Sequence, residues 1–62
     1  MAERLMTAQE VATFLGVPIQ TLYQWRGRGA APRAVKVGRH LRFRRADVDA
    51  WVESHSDRMD VA

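Results

Sequence analysis

Within three residues, Gly16-Val17-Pro18, the chain carries a helix stop and a helix start. Glycine takes the left-handed conformation that closes a helix, and proline suits a first helical turn because its missing N–H would go unpaired there. Two short helices must therefore meet at a tight turn. The upstream one opens on Thr7-Ala8-Gln9-Glu10, a capping box in which the Thr7 hydroxyl accepts from the Glu10 amide and the Glu10 side chain reaches back to Thr7. Val11, Ala12 and Leu15 form its apolar stripe, so the spacing predicts about two turns over residues 8–15. Downstream, Leu22 and Trp25 are three apart and face inward together along a helix predicted from residue 19 to about 28. Gln20, Thr21, Tyr23, Gln24, Arg26 and Arg28 then lie around its outer surface. Gly27 and Gly29 weaken its end, and Ala30-Ala31-Pro32 reads as a connector.

Val35-Lys36-Val37 and Leu41-Arg42-Phe43 alternate apolar with basic, the period of half-buried strands. Gly38-Arg39-His40 is expected to join them as a three-residue loop. In that register Val35, Val37, Leu41 and Phe43 face the core, Lys36 and Arg42 face outward, and Arg39 and His40 stand at the tip. A last helix is predicted from residue 45 to about 55, with Val48, Trp51, Val52 and His55 on one face. Asp47 and Asp49 in its first turn favour the helix dipole. Helix, tight turn, helix, hairpin, helix is the order of a winged helix-turn-helix. The expected fold class is therefore α+β, mainly α, with three short helices and a two-stranded β-hairpin wing. Residues 1–56 would form one domain and residues 57–62 a flexible tail.

Composition narrows the function. At 62 residues there is room for one small core, and the absence of cysteine rules out disulfides and thiolate ligands. His40 and His55 are too few and too separated for a zinc site, so no metal and no cofactor are expected. No apolar run approaches the roughly 20 residues needed to span a bilayer, and no signal-peptide pattern opens the chain. The expectation is a soluble cytoplasmic protein. The net charge of +3 is unevenly distributed. Arg26, Arg28, Arg33, Lys36, Arg39, Arg42, Arg44 and Arg45 occupy residues 11–46 without a single acid, whereas Asp47, Asp49, Glu53, Asp57 and Asp60 follow against Arg58 alone. One basic surface and one acidic end suit a polyanionic partner on the basic side. Catalysis is not expected: there is no thiol, no histidine beside a serine, and no acidic pair in the central segment to hold a metal.

The string Leu15-Gly16-Val17-Pro18-Ile19-Gln20-Thr21-Leu22-Tyr23-Gln24-Trp25 resembles the helix-turn-helix of small MerR-like, excisionase-type DNA-binding proteins. Val35-Lys36-Val37-Gly38-Arg39-His40-Leu41-Arg42-Phe43, followed by Arg45-Ala46-Asp47-Val48-Asp49-Ala50-Trp51-Val52, is similar to that family's wing and closing helix. The resemblance implies a second helix in the major groove, a wing at the neighbouring minor groove, cooperative binding to repeated sites, DNA bending, and an integrase as partner. Many relatives carry a helix-capping serine where this chain has Pro18, which cannot cap. The chain also stops before the long dimerisation helix of larger MerR regulators, so a stable coiled-coil dimer is not expected.

Candidate DNA ligands follow from residue chemistry. Gln20, Thr21, Gln24 and Arg26 are expected on the groove side of the second helix, since glutamine pairs bidentately with adenine and arginine with guanine. Tyr23 can donate to a phosphate or pack against the wing, and Arg28 suits a phosphate. Arg39 at the hairpin tip can enter a narrow, negative minor groove; His40, Lys36 and Arg42 are expected phosphate ligands. Arg44 and Arg45 could anchor the backbone or merely precede the last helix. The registers of Trp25 and Trp51 point to core rather than to stacking platforms. Phe14, off the apolar stripe, could touch a neighbouring copy on DNA or pack under the tail. The leading expectation is an excisionase. A small MerR-like transcriptional regulator and an integrase-docking adaptor are the alternatives, and no membrane or small-molecule ligand is expected.

Overall fold

A computed structural model describes residues 4–55. The elements run β1 (Met6–Thr7), α1 (Ala8–Leu15), α2 (Ile19–Gly27), β2 (Ala34–Val37), β3 (His40–Phe43) and α3 (Arg45–Ser54). This is the small α+β winged helix-turn-helix anticipated above, with one addition: β1 pairs antiparallel with β3, making a three-stranded sheet in the order β1-β3-β2. Two residues are too short for a periodicity signal, so only the pairing of Met6 with Phe43 and Thr7 with Arg42 reveals the strand.

The helix ends follow local chemistry. Thr7 Oγ1 accepts from the Glu10 amide at 3.0 Å, and the Thr7 amide donates to Glu10 Oε1 at 2.9 Å, completing the capping box. Gly16 closes α1 at φ 75°. The Val17 amide donates to the Ala12 carbonyl at 3.0 Å and the Gly16 amide to that of Thr13 at 3.1 Å, the paired bonds of a Schellman motif. The same motif ends α2: Gly29, at φ 75°, donates to the Arg26 carbonyl, and Ala30 to that of Trp25. Gly29 thus terminates the helix rather than merely weakening it. At the other end of α2, Pro18 offers no side-chain cap, as its chemistry requires.

Val11, Ala12, Leu22, Phe43 and Val48 are wholly buried, with Ala8 nearly so. Met6, Leu15, Val17, Ile19, Trp25, Ala31, Ala34 and Leu41 pack around them. Each element contributes at least one side chain, so neither the helices nor the sheet has a complete core alone. Of the apolar face anticipated on α3, only Val48 is buried; Val52 remains 39% exposed and His55 is exposed. The two tryptophans are half-buried rather than central. Their rings lie 5.6 Å apart, the Trp51 indole donates to the Ala30 carbonyl at 2.8 Å, and His55 stacks on Trp51 at 4.2 Å. This aromatic stack fastens α3 to α2 and to the connector behind it.

The hairpin departs from the expected register. Val37 pairs with His40, Lys36 with Leu41, Val35 with Arg42 and Ala34 with Phe43. The connection is therefore a two-residue turn, Gly38-Arg39, and not a three-residue loop. Gly38 has φ 65° while Arg39 keeps a negative φ, the pattern of a type II′ turn with glycine at its first central position. Directly opposed residues share a face, so one residue less in the loop moves β2 to the other face. Ala34 and Lys36 accompany Phe43 and Leu41 on the helix-facing side, whereas Val35 and Val37 stand with Arg42 and His40 on the outer side. Val37 is accordingly 50% exposed, and the expectations that Val35 and Val37 face the core and that Lys36 stands on the outer side with Arg42 are corrected.

Candidate nucleic-acid interface

Because α2 runs beside the sheet, its side chains sort by angle. At about 100° per residue, Ile19, Tyr23 and Arg26 point to the sheet side, and Thr21 and Trp25 to the α3 side. Gln20 and Gln24 point away from the buried Leu22, roughly 40° apart. Both glutamines are exposed, and neither side-chain amide has a hydrogen-bond partner among the described residues. Thr21 is half-buried, and Arg28 is the exposed C-cap residue.

Between α2 and the wing runs a concave trough. Ile19 and Tyr23 line one wall, Arg39 and β3 residues His40, Leu41 and Arg42 the other, and Thr7, Ala8 and Gln9 close its end. Leu41 lines it from the helix-facing side of the sheet, His40 and Arg42 from strand positions on its opposite side. Four anticipated ligands, Tyr23, Arg39, His40 and Arg42, thus meet in one surface feature. Gln24, the residue after Tyr23, extends that surface outward. Lys36, opposite Leu41 and on its side of the sheet, is exposed and adds charge to the helix-facing side of the wing. Arg42 is half-buried and folds back, its Nη1 donating to the Leu41 carbonyl at 2.8 Å.

Arg26 goes elsewhere. It lines a separate cleft with Gly29, Ala31, Pro32 and Ala34 at the root of β2, roughly 160° around the helix from Gln24. The structure therefore does not bring Arg26 together with Gln20 and Gln24. Arg45 is also occupied: its Nε meets Asp49 Oδ1 at 3.0 Å, and its guanidinium covers the Phe14 ring at 4.5 Å. Phe14, 46% exposed, is thereby partly sheltered by α3. The tail invoked for it lies outside the described residues. Among the described residues, none of the other seven cations between residues 11 and 46 meets a carboxylate; the second ion pair, Arg4 with Glu10 at 3.6 Å, lies at the start of the chain. Their field is left to act on solvent or a partner.

Thr7, Ala8 and Gln9 were missed as lining residues. The capping box explains Thr7 structurally, and nothing local reveals that the start of α1 abuts the wing; only the β1–β3 pairing brings them together. No described helix is long and apolar enough to cross a membrane.

No curated protein matches the sequence. A family model described as a helix-turn-helix domain matches residues 5–56, nearly all of the chain. That family includes excisionase-like proteins, and its domain implies DNA as the partner. The match spans both helices, the Gly16 turn between them, the hairpin and α3, and the chain belongs to the helix-turn-helix domain family.

Proposed function

We propose that the protein is an excisionase: it binds repeated duplex sites, holds neighbouring copies of itself together on them, bends the DNA, and so directs an integrase toward excision. Its part in the reaction is architectural, without bond chemistry of its own. The observation that carries the DNA-binding step is the trough between α2 and the wing. A helix fills a major groove about 12 Å wide, and a thin hairpin suits the narrower groove beside it. Between adjacent grooves stands a sugar-phosphate ridge, which the trough would receive. Tyr23, Arg39, His40 and Arg42 line that trough, offering donors and positive charge where phosphates would pass. Gln20, Thr21 and Gln24 then address base edges, and Arg28 and Lys36 the flanking phosphates. Arg26, in its own cleft, is better placed for a phosphate at the edge of the complex than for a base.

Fluorescence anisotropy with duplex oligonucleotides tests the binding step; no measurable complex at low salt would remove it. The recombination role is tested by excision in vitro with the cognate integrase, with and without this protein. Stimulation of excision is expected. Excision that runs equally well without it would instead favour a transcriptional regulator using the same contacts.

A further inference from the structure

From the side chains that α2 turns outward, we infer that the recognition helix reads adenines, two of them, about two base steps apart in one major groove. The inference rests on duplex binding through α2 and adds the base identity. Gln20 and Gln24 sit one helical turn apart on the face opposite Leu22, exposed and with both amide groups free among the described residues. A glutamine amide carries one acceptor and one donor edge, matching adenine N6 and N7, whereas guanine presents two acceptors there and is met by arginine or lysine. The first two turns of α2, through Trp25, hold no cation. Arg26, the first arginine of the helix, lines the cleft with Pro32 and Ala34, roughly 160° around the helix from Gln24, and Arg28 lies at the far end as the C-cap. The groove-facing surface is thus amide-rich and cation-free, while the cations stand on the wing and at the helix end, where phosphates run. Four residues of helix rise about 6 Å, and stacked bases rise about 3.4 Å, so the two amides address positions roughly two steps apart.

Selection of duplexes from a randomised library by the full chain, followed by sequencing, reads this directly. Adenine is expected at two positions about two steps apart. Gln20→Ala should remove the preference at one position and Gln24→Ala at the other, each by roughly 5- to 150-fold against a mismatched base. Affinity for random duplex should change little. Placing 7-deazaadenine at either position should weaken the original protein and leave the matching variant unaffected. Arg26→Ala should select the same sequences as the original. Guanine at the two positions, or unchanged selection by the folded Gln20→Ala/Gln24→Ala double variant, would overturn the inference while leaving DNA binding intact. Failure to retain any duplex would instead remove the binding reading and this inference with it.

Discussion

Gly38 and Arg39 divide the work of the wing tip between backbone and side chain. A Cβ at Gly38 would meet no atom within 4 Å, so space does not demand glycine; the φ of 65° does. An L-residue held in that region costs about 1–2 kcal/mol, more for a β-branched one. Gly38→Val should therefore lower the melting temperature by roughly 4–8 °C per kcal/mol lost, measured by circular dichroism, and should weaken DNA binding although the site loses no ligand. Arg39→Ala removes only the cation. It should leave the melting temperature unchanged, weaken specific and random duplex alike, and reduce the magnitude of the salt slope by about one. Unchanged affinity for both duplexes would mean that the wing tip does not touch DNA.

At the level of elements, hairpin register and helix rotation decide which side chains a partner can meet. Alternation in Val35-Lys36-Val37 is real, but alternation names two faces without saying which is inward. Turn length decides that, and Gly38-Arg39 as a two-residue turn places Ala34 rather than Val35 opposite Phe43. The glycine before the tip was the available signal, since a type II′ turn needs it at its first central position. Rotation of α2 likewise separates Arg26 from the glutamines, which 3.6-residue periodicity could have shown once Leu22 was taken as the inward reference. The attachment of α3 is a further case: with Val48 as its single buried residue, it relies on the indole of Trp51 bonded to Ala30. Trp51→Phe keeps an aromatic ring beside Trp25 and loses that bond. A loss of about 0.5–1.5 kcal/mol in denaturant unfolding is expected, with DNA affinity preserved. A variant as stable as the original would show that ring stacking alone holds α3.

For the molecule as a whole, charge segregation sets how it meets a duplex. Of the eight cations between residues 11 and 46, Arg45 alone is neutralised by a carboxylate among the described residues, so the remainder are available to displace counterions. With about 4–6 phosphates engaged per protomer, log K against log salt should have a slope near −4 to −5. Anisotropy titrations from about 50 to 200 mM salt measure it; a flat response would exclude phosphate contact as the source of affinity.

The helix-turn-helix was legible in the sequence because its determinants are local. A capping box, the Gly16 stop and an apolar stripe each act within a few residues, so their chemistry carries the same meaning in isolation as in the folded chain. The positions of the basic residues were equally plain, and so was the kind of partner they suit. Long-range pairing decided the rest. The β1–β3 ladder brings the start of α1 to the wing, the β2–β3 register turns Lys36 toward the helices and Val37 toward solvent, and the packing of α2 on the sheet withdraws Arg26 from the face that carries Gln20 and Gln24. Each depends on contacts between residues far apart in the chain, and their energies are settled only when the core around Leu22 and Phe43 closes.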